Sequence, residues 1–259
     1  MPDHQSAIIV DLDKREGGTV ARVTIDNARK LNTLNPPLME AFVEKVSGLI
    51  AVKDLRAVVL TGAGDKAFIG GADINVMAGL DKNGARAFIT QVHLTCDVLR
   101  KLPVPVIGRV NGYALGAGME VVAACDLRVA SSNAVFGMPE VKVGIPSVVE
   151  AALLPGLIGW GRTREALLLG ENFGAETALS WGLVERVVTP QELDATVEGW
   201  IASIFKAGPN AVRLQKELIA RWEGLPMRDA IAAGVDSFAE AFDSEEPQRM
   251  LGSFAKRSR

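Results

Sequence analysis

Histidine, cysteine and aromatic residues are scarce in this sequence, and neither sign of charge is in strong excess. Its 259 residues include two His, two Cys, nine Phe, four Trp and one Tyr. Two histidines are too few for a multi-histidine metal site, and a Ser-His-Asp triad would have to use His93, because His4 is expected in a frayed terminus. The 28 Lys and Arg residues against 31 Asp and Glu give a net charge of −3, which disfavours a general nucleic-acid-binding protein.

The two cysteines and the lack of long apolar runs bear on cellular location. Cys96 and Cys125 lie in apolar, helix-like segments without a CxxC spacing, which predicts two buried, reduced thiols. No apolar run reaches the length of a membrane span. The first residues also lack a basic segment followed by an apolar one, the pattern of a secretory signal. We therefore expect a cytoplasmic protein with no membrane partner.

Hydrophobic periodicity predicts an α/β fold in which strands and helices alternate, followed by an almost wholly helical part beyond residue 148. Predicted strands lie at residues 7–12, 19–25, 56–61, 104–110 and 127–130 and within VERVV. Predicted helices lie at residues 38–52, 84–101, 117–124, 148–158, 164–169, 175–180, 190–205, 209–222 and 226–242. The apolar runs at several strands favour a sheet that is covered on both faces.

Two glycine-rich loops follow predicted strands and have side chains small enough to expose backbone N–H groups. They are FIGGAD at 68–73 and GYALGAG at 112–118. Neither contains a nucleotide-binding fingerprint of the GxxxxGK[ST] or GxGxxG type. The second loop opens a predicted helix, whose free N–H groups and dipole favour negative charge. Tight turning and close packing would explain one such loop alone, whereas two together favour a binding function.

Two glutamates stand in loop contexts of the same kind. Glu120 follows the second glycine-rich loop and heads an apolar helix, and Glu140 lies in the Gly/Pro-punctuated segment FGMPEVKVGIPS. Taken separately, Glu120 would complement the helix dipole and Glu140 would be a surface charge. If the two converge on one pocket, burial and mutual repulsion would separate their pKa values, so that one could act as base and the other as acid.

Longer motifs extend over essentially the whole chain. The pattern I-x-x-x-N-G-x-A-x-G-[AG]-G-x-E stands at residues 107–120 and A-x-F-x-x-P-E at 134–140. On these motifs the sequence resembles the enoyl-CoA hydratase/isomerase (crotonase) superfamily. Further segments similar to those of the family are IDNARKLNTLN, KAFIGGADI, GRTREALLLGENFGAETALSWGLVERVV and SEEPQRMLGSFAKR.

The resemblance implies a fold and a division of the chain. The fold is the crotonase-like (ClpP/crotonase) α/β fold of repeated ββα units. An α/β core with the active site is expected over residues 1–195. A helical C-terminal region is expected over residues 196–259, where it would serve oligomerisation and cover the coenzyme A site.

The resemblance also assigns roles to four residues. The backbone N–H groups of Ala72 and Ala117 are implied to form an oxyanion hole, in which fixed peptide dipoles stabilise an enolate-like oxygen. Glu120 is implied to orient and deprotonate the water that attacks C3, and Glu140 to deliver a proton to C2. Possession of both carboxylates favours syn hydration of a trans-2-enoyl-CoA to a 3-hydroxyacyl-CoA.

Acyl-CoA is the implied substrate, with no metal or redox cofactor, and the family resemblance implies homotrimers, commonly paired into hexamers. Arg29 and Lys30 are candidate contacts for the coenzyme A phosphates, although loop cations are more often merely solvated. Phe254 and Lys256 are candidates to close the site, either in their own subunit or in a neighbouring one. The other residues implied to bind substrate are Leu31, Ala67, Ile69, Gly70, Gly71, Asp73, Ile74, Tyr113, Leu115, Gly116 and Pro139.

One segment departs from the family pattern. Hydratases usually read G-I-x-P-G-x-G-G-T-Q-R-L where this chain has GIPSVVEAALL at 144–154, so bulkier residues replace glycines beside the catalytic water. Glu150 adds a third carboxylate there. It is either an outward-facing helix acid or a residue of the acyl pocket that modifies substrate choice or reaction.

Motifs and composition leave four functions open. The two glutamates favour a 2-enoyl-CoA hydratase, and the altered 147–150 segment leaves double-bond isomerisation or another enolate reaction open. An RNA-binding role, known for some relatives of the hydratases, is disfavoured by the net charge and by the lack of a helix rich in Lys and Arg. A non-catalytic scaffold is disfavoured because both glutamates are present.

Overall fold

Two β-sheets with helices packed around them form the protein, as seen in a computed structural model that describes residues 6–257. The larger sheet has the strand order β1-β2-β3-β5-β7-β10, and the smaller one has the order β4-β6-β8-β9. In chain order the strands of the described residues are β1 Ala7–Arg15, β2 Gly18–Asp26, β3 Leu55–Gly62, β4 Ala67–Ile69, β5 Val106–Val110, β6 Tyr113–Leu115, β7 Leu127–Ser131, β8 Val135–Gly137, β9 Phe173–Gly174 and β10 Arg186–Val188.

The larger sheet begins with an antiparallel hairpin and continues with parallel strands. Strands β1 and β2 pair antiparallel across a turn at Gly17, whose φ of 87° lies in the region that glycine adopts without strain. Strands β2, β3, β5, β7 and β10 then pair in parallel. The buried apolar runs of β3 and β5 agree with the prediction of strands covered on both faces.

The helices of the described residues pack on both faces of the larger sheet and extend beyond it. They are α1 Pro36–Gly48, α2 Ile74–Met77, α3 Lys82–Arg100, α4 Ala117–Ala124, α5 Leu154–Leu169, α6 Ala175–Trp181, α7 Leu193–Lys206, α8 Pro209–Trp222, α9 Met227–Ala241 and α10 Glu246–Arg257. Short 3₁₀ turns occur at Ala28–Lys30, Leu49–Ala51, Pro139–Val143, Val149–Leu153 and Pro190–Glu192.

Two apolar clusters stabilise this arrangement. The main core contains buried side chains of α1, α3 and α4, such as Phe42, Leu99 and Met119, packed against one face of the larger sheet and against the smaller sheet. A second cluster joins the opposite face to α7, through residues that include Val59 and Val197. Helix α7 therefore completes the α/β layer, and the predicted boundary at 195/196 falls inside it. The proposed division into core and C-terminal region stays a prediction.

The observed elements correct some of the predicted ones. Helices α4 and α8 have the predicted bounds, but the predicted helices at 148–158 and 164–169 are a 3₁₀ turn followed by the single helix α5. Helix α5 kinks at Gly159, where φ is 76°. The smaller sheet and helix α2 were not predicted, whereas α10 lies in the C-terminal region that was expected to be helical. Strands of two or three residues are too short to show an alternating pattern.

Cys96 and Cys125 are buried and unpaired, which confirms the prediction from their apolar surroundings. Among the helices of residues 6–257, none combines the length and the apolar character that crossing a membrane requires.

Candidate active site

A cleft of about 230 Å³ lies at one edge of the smaller sheet, where α3, α4 and the turn Pro139–Val143 meet. Strands β4 and β6 pair in parallel, so the loops after their carboxyl ends lie side by side. These loops are the two glycine-rich segments that the sequence singles out. The residues that line the cleft are Gly70, Gly71, Ala72, Ile74, Met77, Phe88, Ile89, Val92, Leu115, Gly116, Ala117, Glu120, Pro139, Glu140, Val143, Ile145, Pro146, Ser147 and Val148.

The two loops approach each other closely at Gly71. Its φ is 115°, and a Cβ atom there would lie 3.3 Å from the carbonyl oxygen of Leu115. Any other residue would therefore be strained and would crowd the second loop. Buried amides fix the segment that leads into β4, because Asn32 Nδ2 donates to the carbonyl of Ala67 at 2.8 Å and Asn111 Nδ2 donates to that of Gly64 at 2.7 Å. Sequence reasoning did not single out either asparagine as a site residue.

Two backbone N–H groups at the cleft are free to bind a ligand. Within residues 6–257, we find no hydrogen bond donated by the N–H of Ala72 or of Ala117. Ala117 is the first residue of α4, where N–H groups have no partner inside the helix and the dipole favours negative charge. The cleft thus presents two unpaired donors of the kind that stabilise an oxyanion.

Glu120 lies on the first turn of α4 and is only 4% exposed. Burial, followed by the charge of Glu140, raises its pKa from 4.5 to about 8. The backbone N–H groups of Ala151 and Val148 oppose this increase in part, because they favour the charged carboxylate, and the charge of Glu150 adds to the increase. A carboxyl group with this pKa can exchange protons near neutral pH.

Glu140 is the second residue of the 3₁₀ turn Pro139–Val143 and faces the same cleft. Its Oε2 accepts a hydrogen bond of 2.7 Å from Ser147 Oγ. Its Oε1 lies over Gly116, where a Cβ atom would overlap it. Gly116 also has a φ of 52°, so both the backbone and the carboxylate require glycine there. Ser147 is a contact that the sequence did not identify.

An apolar wall faces the two carboxylates. Phe88, Ile89 and Val92 from α3 contribute one side of it, and Ile145 and Val148 contribute to the other. Ile145 and Val148 belong to the 144–154 segment, where bulkier residues were expected beside the catalytic water. Phe88, Ile89 and Val92 lie outside the family motifs and were not predicted to line the site. Their spacing of one, three and four residues on an amphipathic helix was the available signal.

The structure brings many of the predicted substrate-binding residues together at the cleft. Ile69 is fully buried beneath it, and Asp73 caps α2 by accepting a hydrogen bond from the N–H of Asn75. Tyr113 is 41% exposed and does not line it. Those of the predicted set that do line it, besides the two alanines and the two glutamates, are Gly70, Gly71, Ile74, Leu115, Gly116 and Pro139.

The predicted coenzyme A contacts lie apart from the cleft. Arg29, Leu31 and Ala67 line a separate hollow of about 270 Å³ together with Lys66. Lys30 lies 3.7 Å from Asp73, measured from Nζ to Oδ2. The side chains of Phe254 and Lys256 fall outside the described part of the structure.

Neither alternative predicted for Glu150 is observed. The residue does not face outward, because it is 7% exposed, and it does not line the cleft. Its Oε1 lies 2.8 Å from Nδ1 of His93 on α3, in hydrogen-bond contact. Nothing in the sequence indicated this pair, whose members are separated by 57 positions.

Comparison with known proteins agrees with the motifs and the geometry. Residues 15–259 match the family described as Enoyl-CoA hydratase/isomerase. The chain is 36% identical over 241 residues to the short-chain-enoyl-CoA hydratase of Clostridium acetobutylicum, covering 93% of this chain and 92% of the relative. It is 34% identical over 250 residues to the crotonyl-CoA hydratase of Syntrophomonas wolfei, covering 95% and 94%.

The fold also matches a crystal structure of an enoyl-CoA hydratase from Bacillus anthracis. The TM-score is 0.91 at 30% sequence identity, and the match covers 96% of both chains.

Proposed function

The chain belongs to the enoyl-CoA hydratase/isomerase family and has its crotonase fold, and from this premise we propose that it catalyses the reversible syn addition of water to a trans-2-enoyl-CoA. One observation carries the proposal. Two carboxyl groups, of Glu120 and Glu140, line the same cleft as the two unpaired backbone donors of Ala72 and Ala117. Conjugate addition of water to a thioester needs these two kinds of group.

The N–H groups of Ala72 and Ala117 would bind the thioester oxygen. When water attacks C3, the electron pair of the C2=C3 bond moves towards the carbonyl, and negative charge develops on that oxygen. Two fixed donors stabilise this charge without reorganising, and the loss of one such donor typically costs about 10²–10³ in rate. The dipole of α4 adds to the effect because Ala117 is its first residue.

The two glutamates would divide the proton transfers. Glu120, in its ionised form, takes a proton from the water as the new C3–O bond forms. Glu140 delivers a proton to C2 from Oε1, because Ser147 already occupies Oε2. The product is a 3-hydroxyacyl-CoA with one water added, and the proton taken up by Glu120 must return to Glu140 before the next turnover.

The surfaces around this centre indicate where the acyl chain and coenzyme A would bind. The apolar wall fits an apolar acyl chain. Coenzyme A would extend towards the hollow beside Arg29, where Arg29 and Lys66 offer positive charge to its phosphates. Lys30 is the weaker candidate because it faces Asp73. No further cofactor is needed for this chemistry.

The assembly state and location are part of the proposal. Helix α9 has an exposed apolar stripe that includes Ile231, Val235 and Phe238, and we infer that it is covered in a homotrimer or in a hexamer of two trimers. The unpaired, buried thiols of Cys96 and Cys125 support a reducing, cytoplasmic compartment.

The decisive experiment adds crotonyl-CoA and longer trans-2-enoyl-CoA thioesters to the protein. We expect loss of the conjugated thioester absorbance and a product heavier by one water. Glu140→Gln should lower kcat by about 10²-fold or more, since it removes the proton donor. The control is Glu171→Gln, which changes an exposed carboxylate paired with Lys142. No turnover at any chain length would refute the proposal, and conversion of a 3-enoyl-CoA without hydration would assign an isomerase instead.

A further inference from the structure

A third carboxyl group lies behind the catalytic pair, on the segment that departs from the family pattern. Glu150 is buried on the 3₁₀ turn Val149–Leu153, between α3 and α4. In the part of the chain that the structure describes, its Oε2 is a buried side-chain oxygen without a hydrogen-bond partner. A buried oxygen of this kind is costly, and an apolar side chain would occupy the place at lower cost. The carboxylate therefore points to an electrostatic role.

The segment that carries Glu150 also packs against the helix of Glu120. The backbone N–H groups of Val148 and Ala151, on either side of Glu150, lie close enough to the Glu120 carboxylate to favour its charged form. Between them Val149 has a φ of 38°, a conformation that strains a β-branched residue. Such a backbone persists only where its surroundings hold it in place.

His93 contacts this segment from α3. Its Nδ1 contacts Glu150 Oε1 at 2.8 Å, while its own side chain is 48% exposed. The pair links the strained segment to the long helix that forms the apolar wall of the cleft. We propose that the His93–Glu150 pair positions Glu120. In this arrangement His93 anchors Glu150, and Glu150 fixes the 148–151 segment. The negative charge of Glu150 then acts on the Glu120 carboxyl group.

This inference rests on the proposed function, in which Glu120 reacts with water. The titratable groups that face the cluster are Glu140 and Glu150 towards Glu120, and His93 and Cys96 from α3 towards Glu150. The charge of Glu150 is one of the causes that raise the pKa of Glu120. The Cys96 thiol is not a competing charge, because burial raises its pKa well above the usual range.

The first test is Glu150→Gln, which keeps the shape and an acceptor for His93 but removes the negative charge. We expect the titration of Glu120 to move to lower pH, by on the order of half a unit, because one repelling charge is lost. Carboxyl ¹³C NMR of protein labelled on glutamate measures this without substrate. A failure of the inference therefore stays distinguishable from a failure of hydratase activity, which the wild-type assay decides.

The matched control is Asp97→Asn, which removes a carboxylate that lies on α3, the helix of His93, and is paired with Lys101. It should leave the titration of Glu120 and the rate unchanged. If Glu150→Gln folds with the melting temperature of the wild type and Glu120 titrates as before, the proposal is overturned, whatever the rate.

The second test compares two variants of the anchor. His93→Asn keeps a donor close to the position of Nδ1, and His93→Leu removes it. We expect kcat to fall about tenfold in His93→Leu with little change in KM, since substrate contacts remain, and to recover in His93→Asn. Equal kcat values in the two variants would overturn the proposal. If Glu150→Gln does not fold, the kcat values of the two His93 variants decide whether the His93–Glu150 pair positions Glu120.

Discussion

At the scale of single residues, the burial of Glu120 makes the rate of the proposed reaction depend on pH. The charge of Glu140 contributes to the Glu120 pKa of about 8, so this value describes the loss of the last proton from the Glu120–Glu140 pair. The proposed reaction needs one proton on the pair, so we expect kcat/KM for hydration to fall about tenfold between pH 7 and 9 as the free enzyme loses it. A pH series with crotonyl-CoA measures this. A rise over the same range would mean that hydration does not use a proton held by the pair.

The same pKa shift predicts a pH-dependent stability. Between about 4.5 and 8 the folded protein holds a proton on Glu120 that the unfolded chain releases, so the free energy of unfolding decreases as pH rises across this window. Glu120→Gln has no such group. We expect the variant to match the wild type near pH 4.5 and to exceed it by a few kcal/mol, on the order of 4 at most, at pH 8 and above. Urea denaturation of both proteins at several pH values tests this, and parallel pH profiles would contradict it.

A third residue-scale prediction concerns Gly116. Gly116→Ala would place a Cβ atom against Glu140 Oε1 and force a residue with a side chain into a φ of 52°. We expect kcat to fall by about 10²-fold or more, since a misplaced acid loses its geometric advantage. The control is Gly156→Ala on α5, where a Cβ atom meets nothing within 4 Å. Retention of wild-type kcat in Gly116→Ala would show that Glu140 is not held as the structure indicates.

At this scale the sequence predicted the residues that belong to motifs and missed those that meet only on folding. Glu120, Glu140, Ala72 and Ala117 could be placed through the family resemblance, and the structure brings them to one cleft. The pairing of Glu150 with His93 could not be predicted, because it depends on how α3 crosses the turn Val149–Leu153.

At the scale of elements, α3 shapes the cleft through a few side chains on one face. Ile89 lines the cleft and is only partly buried, so its truncation enlarges the acyl site without emptying the core. For Ile89→Ala we expect kcat/KM for an eight-carbon enoyl-CoA to rise about tenfold relative to crotonyl-CoA, since a methylene or two of pocket space is worth about 10–200-fold. Thr90→Ala, at an exposed neighbouring position, is the control. An unchanged ratio would place the acyl chain elsewhere.

Long elements were predictable, and among the strands of two or three residues only β10, within VERVV, was predicted. The buried strands of the larger sheet and helices such as α4 and α8 have enough residues to show a period. Strands β4, β6, β8 and β9 have two or three residues each, and their pairing depends on contacts that are distant in sequence. The smaller sheet nevertheless determines the site, because it places the loops after β4 and β6 side by side.

At the scale of the whole molecule, the apolar surface that remains exposed predicts an assembly. On α9 the exposed side chains of Met227, Ile231, Val235 and Phe238 recur every three or four residues and form one stripe. Phe238 is 71% exposed, which is unusual for a large aromatic residue in a monomer. The opposite side of α9 already packs on the protein through Ala230 and Ala233. The stripe is therefore available for a second copy of the chain.

We expect the wild-type protein to elute as a trimer or hexamer of its 27.5 kDa chain in light scattering coupled to size-exclusion chromatography. Phe238→Asp should shift the population to monomers, because the interface would have to bury an unpaired charge. Ala232→Asp adds the same carboxylate to α9 at an exposed position outside the stripe and should leave the mass unchanged. A monomeric wild type, or an intact oligomer in Phe238→Asp, would contradict the assignment of this face. Loss of activity together with loss of assembly would further indicate that a neighbouring subunit helps to complete the coenzyme A site.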